Sequence, residues 1–448
     1  MHRFFHSQLL SRKYGGRAVA MLSFAIIGMV FLRYSYAATP AVSIQPEDGV
    51  VSGVGIGNFD PSKVSGGKAV LFGHNSFITR NGSILQLDGK QFRFAGPNIY
   101  WLGVDDFLRD SGGDITYPTH FRIDNVLAGA TSMHSTAVRS HTLGVSVNCK
   151  NCMEPSLNQF NDAAFEPIDY AIEQAGAHNL KLMIPLTDEW RYNGGKWVFV
   201  HWAAKAGVPG VVDTKADLSL TAGSDYSGSG SEKVIEEQFF TNDTIVNYFK
   251  TYISHLLNHV NQYTGIAYKD DPTIMAWETG NELYDAPTSW TQNIASYIKH
   301  NAGAKQLVAD GSAYSNNHVT SAALTAADVD IVGGHFYNWP NGLDTNWMAQ
   351  DAAVAKQNNK AYVVGEWGWS MPGNTAFMSA IDSNKAIAGD LYWSMFGYQE
   401  DGKPIPHATL NYGSDDVPLY VPGISPTMNT AITNMTNHYT TMAAGNAP

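Results

Sequence analysis

Ile274-Met275-Ala276-Trp277-Glu278-Thr279-Gly280-Asn281-Glu282 is an apolar run that passes into a polar tip ending in a carboxylate. A short continuous apolar run bounded by turn residues is the pattern of a strand buried on both faces, the kind found in parallel sheets covered by helices. A second stretch, Ala361-Tyr362-Val363-Val364-Gly365-Glu366-Trp367-Gly368, repeats the form, with its Glu between Gly and Trp. Parallel strands finish at one end of their sheet, and in a closed barrel that end is the mouth on which active sites are built. Two strand-end glutamates, far apart in the chain, are thereby expected to face one another.

Working outward, strand-like segments recur at 93–98, 137–140, 180–186, 306–309, 331–336 and 389–394, making eight with the two already quoted. Helical periodicity at 3–4 spacing lies between them at 165–177, 245–263, 289–301, 345–358 and 375–385, and most weakly around Thr320. Eight strands alternating with helices predict the α/β class and a (β/α)8 TIM barrel rather than an open sheet. Ahead of it, 77–94 reads as a hairpin, with Asn81-Gly82 and Asp88-Gly89 as its turns. The stretch from Thr187 to Phe240 is far longer than an ordinary strand-to-helix connection. It carries Trp190, Trp197 and Trp202 and a Ser/Gly-rich run at 223–230, and is expected to help build the catalytic face.

The bulk properties agree with a large globular chain. Of 448 residues, 44% are hydrophobic and only 15% charged, which excludes a disordered chain. Aromatics at 12% suit either a filled core or a ring-lined groove. The net charge of −12 excludes nucleic acid and anionic membrane surfaces as partners, while neutral substrates remain open. Arg12, Lys13 and Arg17 followed by the apolar run 18–32 and by Ser35-Tyr36-Ala37 predict a secretory signal over 1–37, cleaved near Ala37, and hence a secreted or periplasmic protein. An uncleaved anchor is the alternative, although the run falls short of the ~20 residues a spanning helix needs. Residues 38–75 read as an extended lead-in; Gly53-Val54-Gly55-Ile56-Gly57 lacks the spacing of a dinucleotide fingerprint. The catalytic domain is expected over 76–445, as a monomer. Cys149 and Cys152, the two cysteines of the chain, are expected to form a local disulfide in an oxidising compartment.

A pair of carboxyls at one mouth has a definite chemistry. One, protonated, gives its proton to a leaving oxygen; the other, ionised, attacks an anomeric carbon. Retention of configuration requires them ~5–5.5 Å apart. No cofactor is needed, and the histidines show no ligand spacing such as HExxH that would announce a metal.

The Trp-Glu-x-x-Asn-Glu segment at 277–282 and Gly365-Glu366-Trp367-Gly368 resemble glycoside hydrolase family 5, and its endo-β-1,4-mannanase branch most of all. The likeness extends over about 75–440. The segment from Phe92 to Trp101 resembles the family's first strand, Trp190 to Gly195 its loop after strand three, and 261–274 its approach to strand four. The resemblance implies roles residue by residue. Glu282 would be the acid/base and Glu366 the nucleophile. Arg139 would support Glu366, and Asn281 would bind the sugar 2-hydroxyl. His335 and Tyr337 would lie beside the two glutamates, and Trp393 would form the platform under the reactive sugar. Trp101 and Trp190 join the candidate substrate-binding residues. Glu278 reads as a hydrogen-bonded structural carboxyl. Asp188 and Glu189 depart from the asparagine common in the branch and could touch substrate, and His141 stands where the branch commonly has Trp.

The expected function is therefore retaining hydrolysis of a β-linked polysaccharide, with β-1,4-mannan first and a β-1,4-glucan second. A carbohydrate-binding homologue that has lost catalysis is the reading from another class; it would bind sugar without forming product.

Overall fold

The computed structural model describes residues 76–190, 194–214, 235, 237–313, 319, 321–337, 343–368, 374–405 and 418–444, with the backbone of Gly55–Asn58 and Lys68–Leu71, which pair antiparallel. The expected leader, most of the lead-in and the Ser/Gly-rich run lie outside the described residues.

Eight strands form the central sheet: β1 Phe94–Pro97, β2 Ala137–Arg139, β3 Lys181–Pro185, β4 Ile274–Glu278, β5 Leu307–Ala309, β6 Ile331–Tyr337, β7 Ala361–Gly368 and β8 Ile387–Trp393. They follow one another around the sheet in chain order, with β8 returning to β1, and every pairing is parallel. The ring closes between β1 and β2 through Thr136 N to Ala95 O (3.0 Å), Ile99 N to Arg139 O (2.9 Å) and a single bridge from Asn98 to Arg139. The expected barrel is thus present, each strand within a few residues of its expected place.

The helices that cover it are α1 His120–Ser132, α2 Phe165–Ala177, α3 Asp243–Asn258, α4 Thr288–Ser296, α5 Ser321–Thr325, α6 Thr345–Gln357, α7 Thr375–Ser383 and α8 Pro426–Ala444. Their starts are fixed locally. Thr119 caps α1, Asn242 caps α3 and Asp344 caps α6, each side-chain oxygen accepting from backbone N–H groups of the first turn. On α3 the buried stripe Ile245, Val246, Phe249, Tyr252, Ile253, Leu256 and Leu257 packs towards the barrel. This helix stops at Asn258, short of the expected Tyr263. Asn261 Oδ1 accepts from the N–H groups of Tyr263 and Thr264, an alternative to helical bonding that folds the chain into a turn.

Two apolar layers result. A large one lies between barrel and helices. A smaller one fills the barrel with Phe94, Met183, Met275, Leu307, Ile331, Val363 and Leu391, and is closed by Ile78, Leu85 and Phe92. Leu85 lies in the small antiparallel sheet Thr79–Asn81, Ile84–Leu87 and Lys90–Gln91, and Ile78 and Phe92 flank its first and last strands. Its second turn has both Asp88 (φ 54°) and Gly89 (φ 75°) left-handed, the geometry for which the Asp-Gly pair is suited. Ala137, Leu307, Ile331 and Ala361, each the first residue of its strand, belong to this layer, so the hairpin plugs the end opposite the mouth.

The long connection after β3 carries a helix, Gly195–Lys205, and a short one, Gln238–Thr241. Trp197 and Trp202 were expected to shape the catalytic face. Both are instead buried, Trp202 packing against Phe199 while the indole N–H of Trp197 binds Glu189 O. Trp202 belongs to the large apolar layer between barrel and helices, so the inserted helix extends that layer. Among the described residues no helix is long and apolar enough to cross a membrane.

Candidate active site

Arg139, the last residue of β2, is fully buried at the mouth. Its Nε donates to Glu278 Oε2 (2.8 Å), its Nη1 to Glu366 Oε1 (2.7 Å) and Asn98 Oδ1 (3.2 Å), and its Nη2 to Asn281 Oδ1 (2.8 Å). Nη2 also lies 2.8 Å from Glu278 Oε2. A guanidinium presents five N–H groups in a fixed fork, which is why one side chain can hold groups from β1, β4 and β7 at once. Glu278 is the structural carboxyl expected from the sequence, and it balances part of this charge.

Glu366 is buried on β7 where the pairing with β8 slips between Val364 and Trp367, and β6 slips against β7 between Gly334 and His335. Such irregularities turn side chains off the regular alternation. They bring His335 and Tyr337 beside Glu366. Tyr337 OH donates to Glu366 Oε2, and His335 Nδ1 lies 3.5 Å from the same oxygen. Gly365 permits this approach, because a Cβ there would stand 2.7 Å from His335 Nε2.

Glu282 follows β4 with left-handed backbone (φ 50°), unusual for a residue with a side chain and costing on the order of 1 kcal/mol. Its Oε1 binds His335 Nδ1 (2.6 Å) and its Oε2 accepts from the indole N–H of Trp190 (2.5 Å). Carboxylate oxygens of Glu282 and Glu366 and a ring nitrogen of His335 all lie within 4.8 Å of one another. Among the described residues these three could hold a metal ion, but their ligand atoms are already engaged in the bonds above. Asn281 is fixed at both ends of its amide, its oxygen by Arg139 and its nitrogen by Asp188 Oδ1 (2.9 Å).

Charge and burial compete in this group. Burial pushes Glu282 up, but the bond and charge of His335 and the N–H of Trp190 outweigh it, so its pKa lies below the ordinary glutamate value. Glu366 lies above that value: burial raises it, with the charge of Glu282 adding to the rise, against the pull of His335, Arg139 and Tyr337. His335 is raised although burial opposes this, because Glu366 and Glu282 favour its charged form. Groups so close titrate as a unit. Burial also raises Asp188 well above the usual carboxylate range.

Trp393 ends β8 half-buried, stacked face to face on Tyr100 (5.5 Å between ring centres, 13° between planes). His141 meets its edge at 5.3 Å. The His141 Nε2 accepts from Arg139 Nη1 (3.3 Å), and burial together with that guanidinium keeps its pKa well below the ordinary value, so the ring is neutral.

Two expected contacts need correction. Trp101 is 0% exposed, its N–H on Met395 O and the Arg122 guanidinium 4.5 Å from its ring centre; it supports the wall rather than lining the cleft. Glu189 is equally buried, paired with Lys196 and accepting from Tyr284 N, so it does not reach the mouth. Asp188 acts on Asn281, as described. Sequence reasoning missed Tyr100, under Trp393, and Asn98, whose amide also donates to Gly365 O (3.1 Å). The signal for Asn98 was a polar residue ending an apolar strand, the same signal that marked Glu366.

Cys149 and Cys152 are joined in a disulfide in the loop after β2. Beside it Lys150 reaches Asp110 (2.8 Å) and Asp114 (3.0 Å) of the loop after β1, tying the two loops together.

Comparison with known proteins agrees with this geometry. A sequence profile described as GH family 5 beta-mannosidase-like matches residues 75–374. A putative mannan endo-1,4-beta-mannosidase P of Arabidopsis thaliana is 26% identical over 276 residues, spanning 58% of this chain and 60% of the relative. Mannan endo-1,4-beta-mannosidase 2 of Oryza sativa subsp. japonica is 30% identical over 230 residues, spanning 50% of this chain and 44% of the relative. The matched region thus spans about half the length of these plant proteins. The crystal structure of an endo-1,4-beta-mannanase from Rhizomucor miehei superposes with a TM-score of 0.61 at 23% identity, covering 82% of this chain and 100% of that one, a likeness of fold. With the profile matching well over half of its length, on a barrel carrying two facing strand-end glutamates, the chain belongs to glycoside hydrolase family 5, in its beta-mannosidase-like group.

Proposed function

We propose that this protein is a glycoside hydrolase that cleaves β-1,4-linked mannan-type polysaccharide with net retention, by double displacement. The observation that carries the reading is the approach of Glu282 and Glu366 to within 4.8 Å through a shared neighbour, His335. That falls on the retaining side of the two carboxylate spacings, since inversion needs ~6.5–9.5 Å to admit a water between them.

In the first step Glu366 attacks the anomeric carbon while Glu282 gives its proton to the departing glycosidic oxygen. Arg139 and Tyr337 hold both oxygens of Glu366, so the attacking carboxylate is aimed before substrate arrives. In the second step Glu282, now ionised, takes a proton from water, which displaces Glu366 from the sugar. Asn281, with its amide fixed by Arg139 and Asp188, is suited to the 2-hydroxyl, and Trp393 to the sugar face. The mannan preference rests on the plant relatives named above and on the family match.

Reducing-sugar release from mannan, glucomannan and carboxymethylcellulose tests the substrate, and proton NMR of the first-formed anomer tests retention. Glu366→Ala should lower turnover by several orders of magnitude and regain rate with added azide, giving a glycosyl azide of inverted configuration. Near-normal turnover of Glu366→Ala, or an inverted product from the unaltered enzyme, would defeat the mechanism. Export is proposed with it, from the basic and apolar start of the chain. N-terminal sequencing of the exported protein should begin near Ala38.

A further inference from the structure

Glu282 has to serve twice, as an acid and then as a base, so whatever biases its protonation controls which step is favoured. Both of its oxygens are engaged, by two groups that differ in kind. His335 on β6 offers a ring nitrogen that can donate or accept, so its bond to Oε1 survives whether Glu282 is charged or neutral. Trp190, in the connection after β3, offers an indole N–H that can only donate. Its bond to Oε2, at 2.5 Å, is strongest to a carboxylate and weakened by a proton on that oxygen. Trp190 is itself held in place: its backbone N–H binds Asp188 Oδ1 (3.0 Å), the oxygen that also fixes Asn281.

From this geometry we infer that Trp190 is a positioning residue that favours the base form of Glu282 in the free enzyme, and that the sugar on the leaving-group side must take over Oε2 before Glu282 can act as the acid. The inference rests on the hydrolase reading. Among the described residues, the charged groups that act on Glu282 or feel its charge include His335 on β6, Arg139 of β2, Glu366 on β7 and Asp188 after β3, while Tyr337 joins through Glu366 and His141 and Glu278 through Arg139. Among them Arg139 and a charged His335 also favour the carboxylate, but both are shared with Glu366. The indole N–H acts on Glu282 alone of the two. The low position of Glu282 is in keeping with this. The bond also serves the second step, when the leaving sugar has gone and a base is required.

The test is the pH dependence of kcat/KM for a β-1,4-manno-oligosaccharide, which reports the free enzyme. Trp190→Phe keeps an aromatic ring and removes the donor. Glu282 lies below the ordinary glutamate value and Glu366 above it, so the acid limb follows Glu282 and should move up by about one pH unit, the scale of one charge-assisted hydrogen bond, with the alkaline limb unmoved. A 2,4-dinitrophenyl β-mannoside, whose leaving group needs no acid, should show no such difference. A uniform loss of rate with the acid limb in place would mean that Trp190 is merely structural and would overturn the proposal. If the Phe variant does not fold, the full-length enzyme labelled with 15N at its indoles decides. One indole N–H resonance should titrate with pH and stop doing so in Glu282→Gln; if none behaves so, the proposal fails. An unaltered enzyme that cleaves no β-glycoside would defeat the hydrolase reading instead, and the NMR titration would still judge the contact.

Discussion

Replacing Arg139 with Met keeps the length of the side chain and removes every N–H group. Glu278 and Glu366 then lose the buried cation that Arg139 places 2.8 and 2.7 Å away. Leaving one partner of a buried ion pair uncompensated costs about 3–5 kcal/mol of stability. The share that falls on Glu366 can be set by its own bond, since a hydrogen bond to a charged group contributes about 1.5–3 kcal/mol. Converted at 1.36 kcal/mol per tenfold, that predicts a fall in kcat/KM of roughly 10- to 150-fold. The sign with pH follows. Burial already raises Glu366, and Arg139 is among the groups that pull it back, so its removal raises Glu366 further. Ionised Glu366 is then lost at higher pH, and the acid limb of activity moves up. The assay is kcat/KM for a 2,4-dinitrophenyl β-mannoside from pH 4 to 9, beside thermal melting. Arg139→Lys, which keeps charge but loses the fork, should fall between. A folded Arg139→Met variant within threefold of the parent, with its acid limb unmoved, would refute the role assigned to Arg139.

Trp393→Ala should raise KM for oligosaccharides at least tenfold while leaving the melting temperature nearly unchanged, as measured by initial rates and calorimetry; an unaltered KM would remove Trp393 from the substrate face. On α8, the buried His438 lies 2.8 Å from Asp382 and 3.0 Å from Asp390, and although burial opposes its charge the two aspartates raise its pKa to about 9. Stability from this raised group is fully present below the unfolded value near 6.5 and is lost as pH rises through about 9, amounting to roughly 3 kcal/mol. Denaturant midpoints at pH 6 and pH 10 should differ accordingly, and His438→Gln should abolish most of that difference.

The barrel was legible because its strands are buried on both sides and so read as unbroken apolar runs, whose polar ends mark the mouth. Glu282, Glu366 and Arg139 stood out for the same reason: each is a charged residue closing such a run. Less legible was anything set by packing between distant segments. Three tryptophans after β3 look alike in sequence, yet one reaches Glu282 and two fill the insertion, since orientation depends on helices folded from residues beyond them. Trp101 was placed in the cleft although its neighbour Tyr100 is the one that backs Trp393, a difference of one position along an irregular strand end. Helix α1 and helix α8 carry only weak amphipathic patterns and were not singled out at all. The pairing of His438 with Asp390, some fifty residues away in sequence, leaves no local trace.

The closure of the barrel depends on a thin join, where β1 and β2 share a few backbone bonds at Ala95, Ile99 and Arg139. The guanidinium of Arg139 also grips Asn98 across that join, while its other nitrogens hold Glu278, Asn281 and Glu366. One side chain is therefore both rivet and gauge. If the staves part at this edge, Glu366 loses its bearing in the same movement, and heat should silence the enzyme well before its helices melt.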